Sequence, residues 1–171
     1  MLRFVSRLAP MSTTNISADS KFNHFTAANG CFWGPEHMYR KHYTGKGLVD
    51  IRVGYIGGTS KNPTYKQVCS GATGHAEAFR LTFDPKKVLY DELVEFFFRM
   101  HDASQLNRQG ADTGTQYRSA IFYHNDEQKT IAEQVLKMVQ EKPFYKSKRI
   151  VTEIVPASTW YEAEDYHQQV R

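Results

Sequence analysis

Cysteine is scarce in this chain, two in 171 residues. That excludes the disulfide-dense scaffold of small secreted domains and points to a reducing compartment in which thiols serve chemistry. No apolar run approaches the roughly 20 residues a membrane-spanning helix needs. Strong charge is lacking too. The net charge is +4 and the basic residues are scattered, with only short clusters at Arg40-Lys41 and Lys146 to Arg149. Solvated faces are expected rather than a nucleic-acid track or a membrane surface. There are no repeats and no internal linker. What is present suits one globular domain with a proper core: 40% hydrophobic residues and 13% aromatic, including 11 Phe and 10 Tyr.

The first residues stand apart. Met1 to Pro10 (MLRFVSRLAP) alternates Arg3 and Arg7 with Leu2, Phe4, Val5 and Leu8, and no acid precedes Asp19. That is the composition of a mitochondrial presequence, too broken for a secretory signal. Met11 opens a Ser/Thr-rich stretch that could be a second start, giving a cytoplasmic form beside a mitochondrial one. The alternative is a tail with no address. Residues 1–20 are therefore expected to be a disordered tail, and residues 21–171 a single catalytic domain.

The organising stretch is Asn29-Gly30-Cys31-Phe32-Trp33-Gly34-Pro35-Glu36. Residues 22–27 read as a strand. Pro35 to His42 reads as a helix, since proline suits the first helical position and no breaker follows until Gly45. Cys31 then sits just ahead of a helix N-terminus, whose free N–H groups and positive dipole end favour a thiolate. Such placement lowers a cysteine pKa from about 8.5 toward neutrality and makes a nucleophile. Gly30 and Gly34 clear side chains from both flanks and let another molecule approach. The bland alternative is a packing cysteine.

Further on, residues 48–55 alternate Val49, Ile51, Val53 and Tyr55 against Asp50 and Arg52, a half-buried strand. A short helix over 64–70 carries Tyr65 and Cys69. A strand over 75–83 puts Glu77 on one face with Phe79, Leu81 and Phe83. A carboxyl at the end of an apolar row resists ionisation, so Glu77 could stay protonated near neutrality and donate a proton. A solvated strand-end glutamate is the alternative. Residues 86–101 form an amphipathic helix with Leu89, Leu93, Phe96, Phe97 and Met100 inward. Residues 102–114 form a long polar loop of the functional kind. A strand over 118–124, a helix from 126 to about 141 with Ile131, Val135 and Met138 inward, a strand over 149–155 and a final helix from Thr159 complete the chain. Alternating elements of this kind suggest an α+β fold, a two-layer ferredoxin-like sandwich around a mixed β-sheet, and by themselves leave a parallel α/β sheet open.

Three constellations compete. Cys31 with His37 and Cys69 with His75 share a C-x5-H spacing, looser than structural zinc sites use, and no metal is expected. Cys31 with His75 could be an acyl-transfer dyad. Phe32, Trp33, Tyr55 and Tyr65 could instead cage a peptide side chain without catalysis.

Gly30-Cys31-Phe32-Trp33-Gly34 resembles the active-site signature of A-type peptide methionine sulfoxide reductases. Residues 53–58 (VGYIGG), 62–65 (NPTY), 74–78 (GHAEA) and 114–119 (GTQYRS) agree with that family in order and approximate spacing. The resemblance runs from about residue 22 to the end. It implies the ferredoxin-like fold and reduction of methionine-S-sulfoxide in proteins, with the free amino acid open as a second substrate, as oxidative-stress repair. It implies that Cys31 attacks the sulfoxide sulfur and Glu77 protonates the oxygen, with Tyr65 and Tyr117 as further donors. Phe32 and Trp33 would hold the methyl group, and Asp112 would support the site through hydrogen bonding. Many members resolve the resulting sulfenic acid with cysteines in a glycine-rich tail that does not appear here. Cys69 is the other thiol and a candidate resolver. The simpler expectation is a one-cysteine cycle with no bound cofactor, in which thioredoxin, glutathione or glutaredoxin reduces Cys31 directly. Oxidised proteins and thioredoxin are the expected partners, and a monomer the expected state.

Overall fold

The computed structural model describes residues 23–169; the tail and presequence expected over 1–20 lie outside them. In chain order the elements are β1 (Asn23–Asn29), α1 (Trp33–Tyr43), β2 (Leu48–Ile56), α2 (Tyr65–Cys69), β3 (Ala76–Phe83), α3 (Tyr90–Arg99), β4 (Arg108–Gln109), β5 (Asp112–Thr113), β6 (Ser119–Tyr123), α4 (Asp126–Gln140), β7 (Glu153–Pro156) and β8 (Tyr161–Glu162). Short 3-10 turns occupy Thr115–Tyr117, Pro143–Tyr145 and Asp165–His167. Strands run β7-β6-β1-β3-β2-β8 across one six-stranded sheet, and β4 and β5 form a separate hairpin. All pairings in the large sheet are antiparallel except β6 with β7, so the sheet is mixed.

The connections explain the order. β1 and β2 both pair with β3, and β3 and β6 both pair with β1. Each βαβ passage therefore leaves a gap that the other fills, which is the split βαβ of a ferredoxin-like sandwich. Helices cover the face carrying Phe25, Ile51, Val53, Phe79, Leu81, Phe83 and Ile121, packed with Tyr39, Leu93 and Phe97 into the main core. The opposite face is built from small residues, Ala28, Ala76, Ala78 and Ala120 with Ile56 and Phe122, under Val155, Ala157 and Trp160. Period-two alternation along β1 and β3 produces both faces at once.

Several boundaries move for local reasons. α1 begins at Trp33, two residues before Pro35, with Phe32 as its cap. The helix expected from residue 86 starts at Tyr90, because Asp84 holds a turn by accepting from the Lys86, Lys87 and Val88 N–H groups. Leu89 is left extended at the helix cap and 61% exposed. A register shift between Leu48 and Asp50 turns Val49 outward. Met138 also faces solvent, while Ala132, Val135 and Val139 take the buried stripe of α4. Residues 149–152 are not strand, since the Ile150 and Val151 N–H groups bond Gln140 and the Ala103 carbonyl.

The largest correction is the last segment. No helix begins at Thr159. The open edge of β2 takes β8 as a partner, and the Gln168 side chain continues the pairing. It accepts from the Val53 N–H at 3.0 Å and donates to the Val53 carbonyl at 2.9 Å. An edge with unpaired N–H and C=O groups outcompetes the weak helical pattern. No described helix is long and apolar enough to cross a membrane.

Candidate active site

Cys31 lies in the turn between β1 and α1, half-buried. Gly30 before it has φ +98°, which favours glycine, and a β-carbon there would meet the Gln109 side chain at 2.8 Å. Gly30 thus serves the turn and its packing, not the approach of a ligand. Gly34, with open space beside it, does leave Cys31 accessible. The thiol itself departs from expectation. Burial pushes its pKa up, the Trp33 N–H pulls it down, and the Glu77 and Asp112 carboxyls push it up further. One N–H at a helix start does not outweigh desolvation and two nearby acids. The resting form is the thiol.

Glu77 is placed by β3 on the core face and is 1% exposed. Its Oε2 accepts from the Phe32 N–H at 3.3 Å, while Oε1 is buried with no partner among the described residues. Burial raises its pKa to about 7, with the Phe32 N–H opposing and Asp112 adding to the rise. A carboxyl held by one oxygen, half-protonated near neutrality and with its other oxygen unsatisfied, is equipped to give a proton.

Tyr65 and Tyr117 stand in the same electrostatic neighbourhood. Burial raises both phenols, Tyr117 to about 12, with Glu77 contributing to each, so both keep their protons and can donate. The Tyr65 hydroxyl also bonds Cys69, which is exposed at the end of α2. Gln116 ties Tyr117's turn to α2 by donating to the Cys69 carbonyl at 3.3 Å. Asp112, on β5, is exposed, and its carboxylate accepts no hydrogen bond from the described residues. Its effect on Cys31 and Glu77 is electrostatic.

Phe32 and Trp33 separate. Phe32 is buried against Tyr55 and His167, with ring centroids 6.0 and 5.2 Å away. Trp33 is 40% exposed, its indole N–H donating to His167 Nδ1 at 3.2 Å. His167 was not singled out by the sequence reasoning, which placed it on a helix. It is buried among Phe32, Trp33 and Tyr65, at 4.4 Å from the last. Glu164, also unselected, accepts from the Tyr65 N–H at 2.9 Å and the Tyr55 hydroxyl at 2.8 Å. The acid- and histidine-rich composition of 162–167 was the available signal. Its role needed the tertiary contact.

The competing constellations lose their members here. His75 uses both ring nitrogens on the backbone, Nδ1 accepting from Gly58 N–H and Nε2 bonding the Ser60 carbonyl. It has no nitrogen left to serve as base or ligand. Tyr55 and Phe32 are core, and His167 fills the space an aromatic cage would offer. Among the described residues no group of three or more His, Cys, Asp or Glu is arranged to hold a metal ion.

The fold and site together fit the class of thiol enzymes, with a half-buried cysteine on a strand-to-helix turn in the electrostatic neighbourhood of a buried carboxyl and two phenols. Known proteins narrow this class. Residues 23–170 match the family described as peptide methionine sulfoxide reductase, and the chain belongs to it. A probable peptide methionine sulfoxide reductase of Schizosaccharomyces pombe is 53% identical over 142 residues, 82% of this chain and 83% of that one. The crystal structure of reduced Mxr1 from Saccharomyces cerevisiae superposes with a TM-score of 0.82 at 40% identity, covering 92% of this chain and 88% of the other. Mxr1 has also been solved in complex with Trx2, with a TM-score of 0.64 at 30% identity over 94% and 98% of the two chains.

Proposed function

We propose that this protein reduces methionine-S-sulfoxide residues in oxidised proteins to methionine, with Cys31 as nucleophile and Glu77 as acid. The observation that carries this is the pairing of an accessible thiol with a buried carboxyl that titrates near 7 and has one oxygen unsatisfied. Cys31 Sγ bonds the sulfoxide sulfur while Glu77 gives its proton to the oxygen. The thiol's proton returns to Glu77; the substrate's S–O bond and the transient S–S bond then break as the oxygen moves to Cys31 Sγ, which releases methionine and leaves a sulfenic acid. Two electrons move from the cysteine sulfur to the sulfoxide sulfur. Tyr65 and Tyr117 hydroxyls support the oxygen as charge builds on it. Trp33, held by His167, forms the exposed apolar wall for the methyl group, and Phe32 backs it from the core.

An external thiol completes the cycle. Thioredoxin is the donor we infer, because the yeast relative Mxr1 forms a complex with Trx2; glutathione and glutaredoxin are the alternatives. Direct reduction is favoured because Cys69 is engaged by the Tyr65 hydroxyl and would have to leave that contact before bonding Cys31. No bound cofactor takes part in this scheme, and the protein acts as a monomer in it. The test is intact mass after one equivalent of an S-epimer sulfoxide peptide without reductant. One oxygen gained, trappable at Cys31, with reduced peptide released, supports the one-cysteine cycle. Loss of two hydrogens makes Cys69 the resolver. A peptide that keeps its oxygen overturns the activity.

For residues 1–10 we propose a mitochondrial address, with initiation at Met11 leaving a cytoplasmic form. Arg3 and Arg7 without any acid before Asp19 support it. Fusion of residues 1–20 to a fluorescent reporter tests it, and a purely cytosolic signal would overturn it.

A further inference from the structure

A depression of about 270 Å³ opens beside Cys31. Cys31 and Gly34 form its rim, but Glu77, Tyr65, Tyr117 and Trp33 are not among its lining residues. A peptide whose sulfoxide oxygen points to Glu77 therefore leaves this space for something other than the sulfoxide. Pro35, Met38 and Met100 supply its apolar lining.

The polar groups of its lining are selective. His101 has spent both ring nitrogens, on the Phe97 carbonyl at 2.9 Å and the Ser119 hydroxyl at 2.8 Å. Gln109 has spent its amide on the Asp102 backbone. Two acceptors remain. Asn29 is 6% exposed and its Oδ1 is buried without a partner. Asp112, paired with Gln109 across the β4–β5 hairpin and so on its face, makes no ion pair among the described residues. Arg108, the nearest cation in sequence, alternates to the other face and donates to the Gly110 carbonyl. A buried acceptor left unsatisfied is costly, and a carboxylate beside it adds charge.

We propose that this depression is a subsite for a basic side chain adjacent to the methionine sulfoxide, so that the substrate class is sulfoxide flanked by lysine or arginine. The methylene stem lies along Pro35, Met38 and Met100, and the cationic tip donates to Asn29 Oδ1 and the Asp112 carboxylate. This rests on the proposed reductase activity and adds its sequence preference. It also bears on the thiol. Asp112 is one of the groups holding Cys31 protonated, and a cation beside it offsets that push as the substrate seats.

The test uses the full chain with pentapeptides carrying the S-sulfoxide and lysine, norleucine or glutamate immediately before or after it. At low salt, kcat/KM for the lysine peptide should exceed that for norleucine by roughly two- to fivefold at one flank, the worth of a partly screened charge contact. Glutamate should fall below both. In Asp112→Asn the lysine-to-norleucine ratio should collapse toward one. Met38→Lys, which puts a competing ammonium in the groove, should collapse it as well. Equal kcat/KM for lysine and norleucine at both flanks, in an enzyme that reduces all the peptides, overturns the subsite and leaves the activity standing. A lysine preference that survives both substitutions also overturns it, since long-range attraction would then be the cause. If no peptide is reduced, the reductase assignment itself fails.

Discussion

Burial acts on Cys31 and Glu77 in the same direction, with opposite consequences. Raising a carboxyl toward 7 supplies an acid, whereas raising a thiol withholds a nucleophile until substrate arrives. For Glu77 the sign can be followed through stability. Below pH 4.5 both folded and unfolded states hold the proton, so it contributes no pH dependence. Between 4.5 and about 7 the unfolded chain releases the proton and the folded one keeps it, so stability falls as pH rises. The cost above pH 7 is on the order of 3 kcal/mol. Glu77→Gln should therefore raise Tm at pH 8 and do little at pH 5, while slowing single-turnover sulfoxide reduction by about a hundredfold or more. Thermal melts across pH 5–8 check the first part and rapid-quench peptide assays the second. In the wild type, the rate of the reductive step should decline as pH rises through about 7. At this scale the sequence was informative about identity. Cys31 between glycine and aromatics and Glu77 at the head of an apolar row were both legible. The direction of the Cys31 pKa was not, because it depends on Asp112 and Glu77, which approach it from other parts of the chain.

At the scale of elements, the last segment does more than end the chain. Gln168 clamps Val53, Gln169 N–H donates to both oxygens of the buried Glu36, Glu164 anchors Tyr65, and His167 orients Trp33. Gln168→Ala leaves the Val53 N–H without its partner at a partly buried edge and should cost about 1–3 kcal/mol, measured by urea denaturation. His167 is predicted to act on substrate binding. Burial lowers its pKa, so at neutral pH Nδ1 is a free acceptor for the Trp33 indole. His167→Leu removes the acceptor and should raise KM about fivefold with kcat nearly unchanged, while His167→Gln restores it. Steady-state kinetics on a sulfoxide peptide distinguish the two. Helix periodicity correctly marked Leu93, Phe96 and Phe97 as inward on α3, yet placed Leu89 there too. The Asp84 turn that delays the helix is a local backbone choice the pattern does not carry.

At the scale of the whole molecule, the sheet, both apolar clusters and the site all fall within residues 23–169, and the family match covers 23–170. A chain beginning at residue 22 should therefore fold and reduce sulfoxide peptides at a rate within about twofold of the full chain, an expectation that circular dichroism and the same assay test directly. By itself the sequence determined the alternation of strands and helices and the apolar faces of the main strands, and it left a parallel α/β sheet open beside the α+β sandwich. Alternation and helical period are short-range properties, whereas the order of strands across the sheet is set by long-range pairing. It also marked Cys31 and Glu77 as the candidate pair, through residue types whose chemistry is local. Only the tertiary structure decided what surrounds that pair. The β2 edge recruited β8 and Gln168 where a helix was expected, His167 was carried from the far end of the chain to Trp33, and Asn29, Met38 and Asp112 met beside Cys31. Those meetings depend on unpaired backbone and on space left between packed elements, and neither is written in any single stretch of residues.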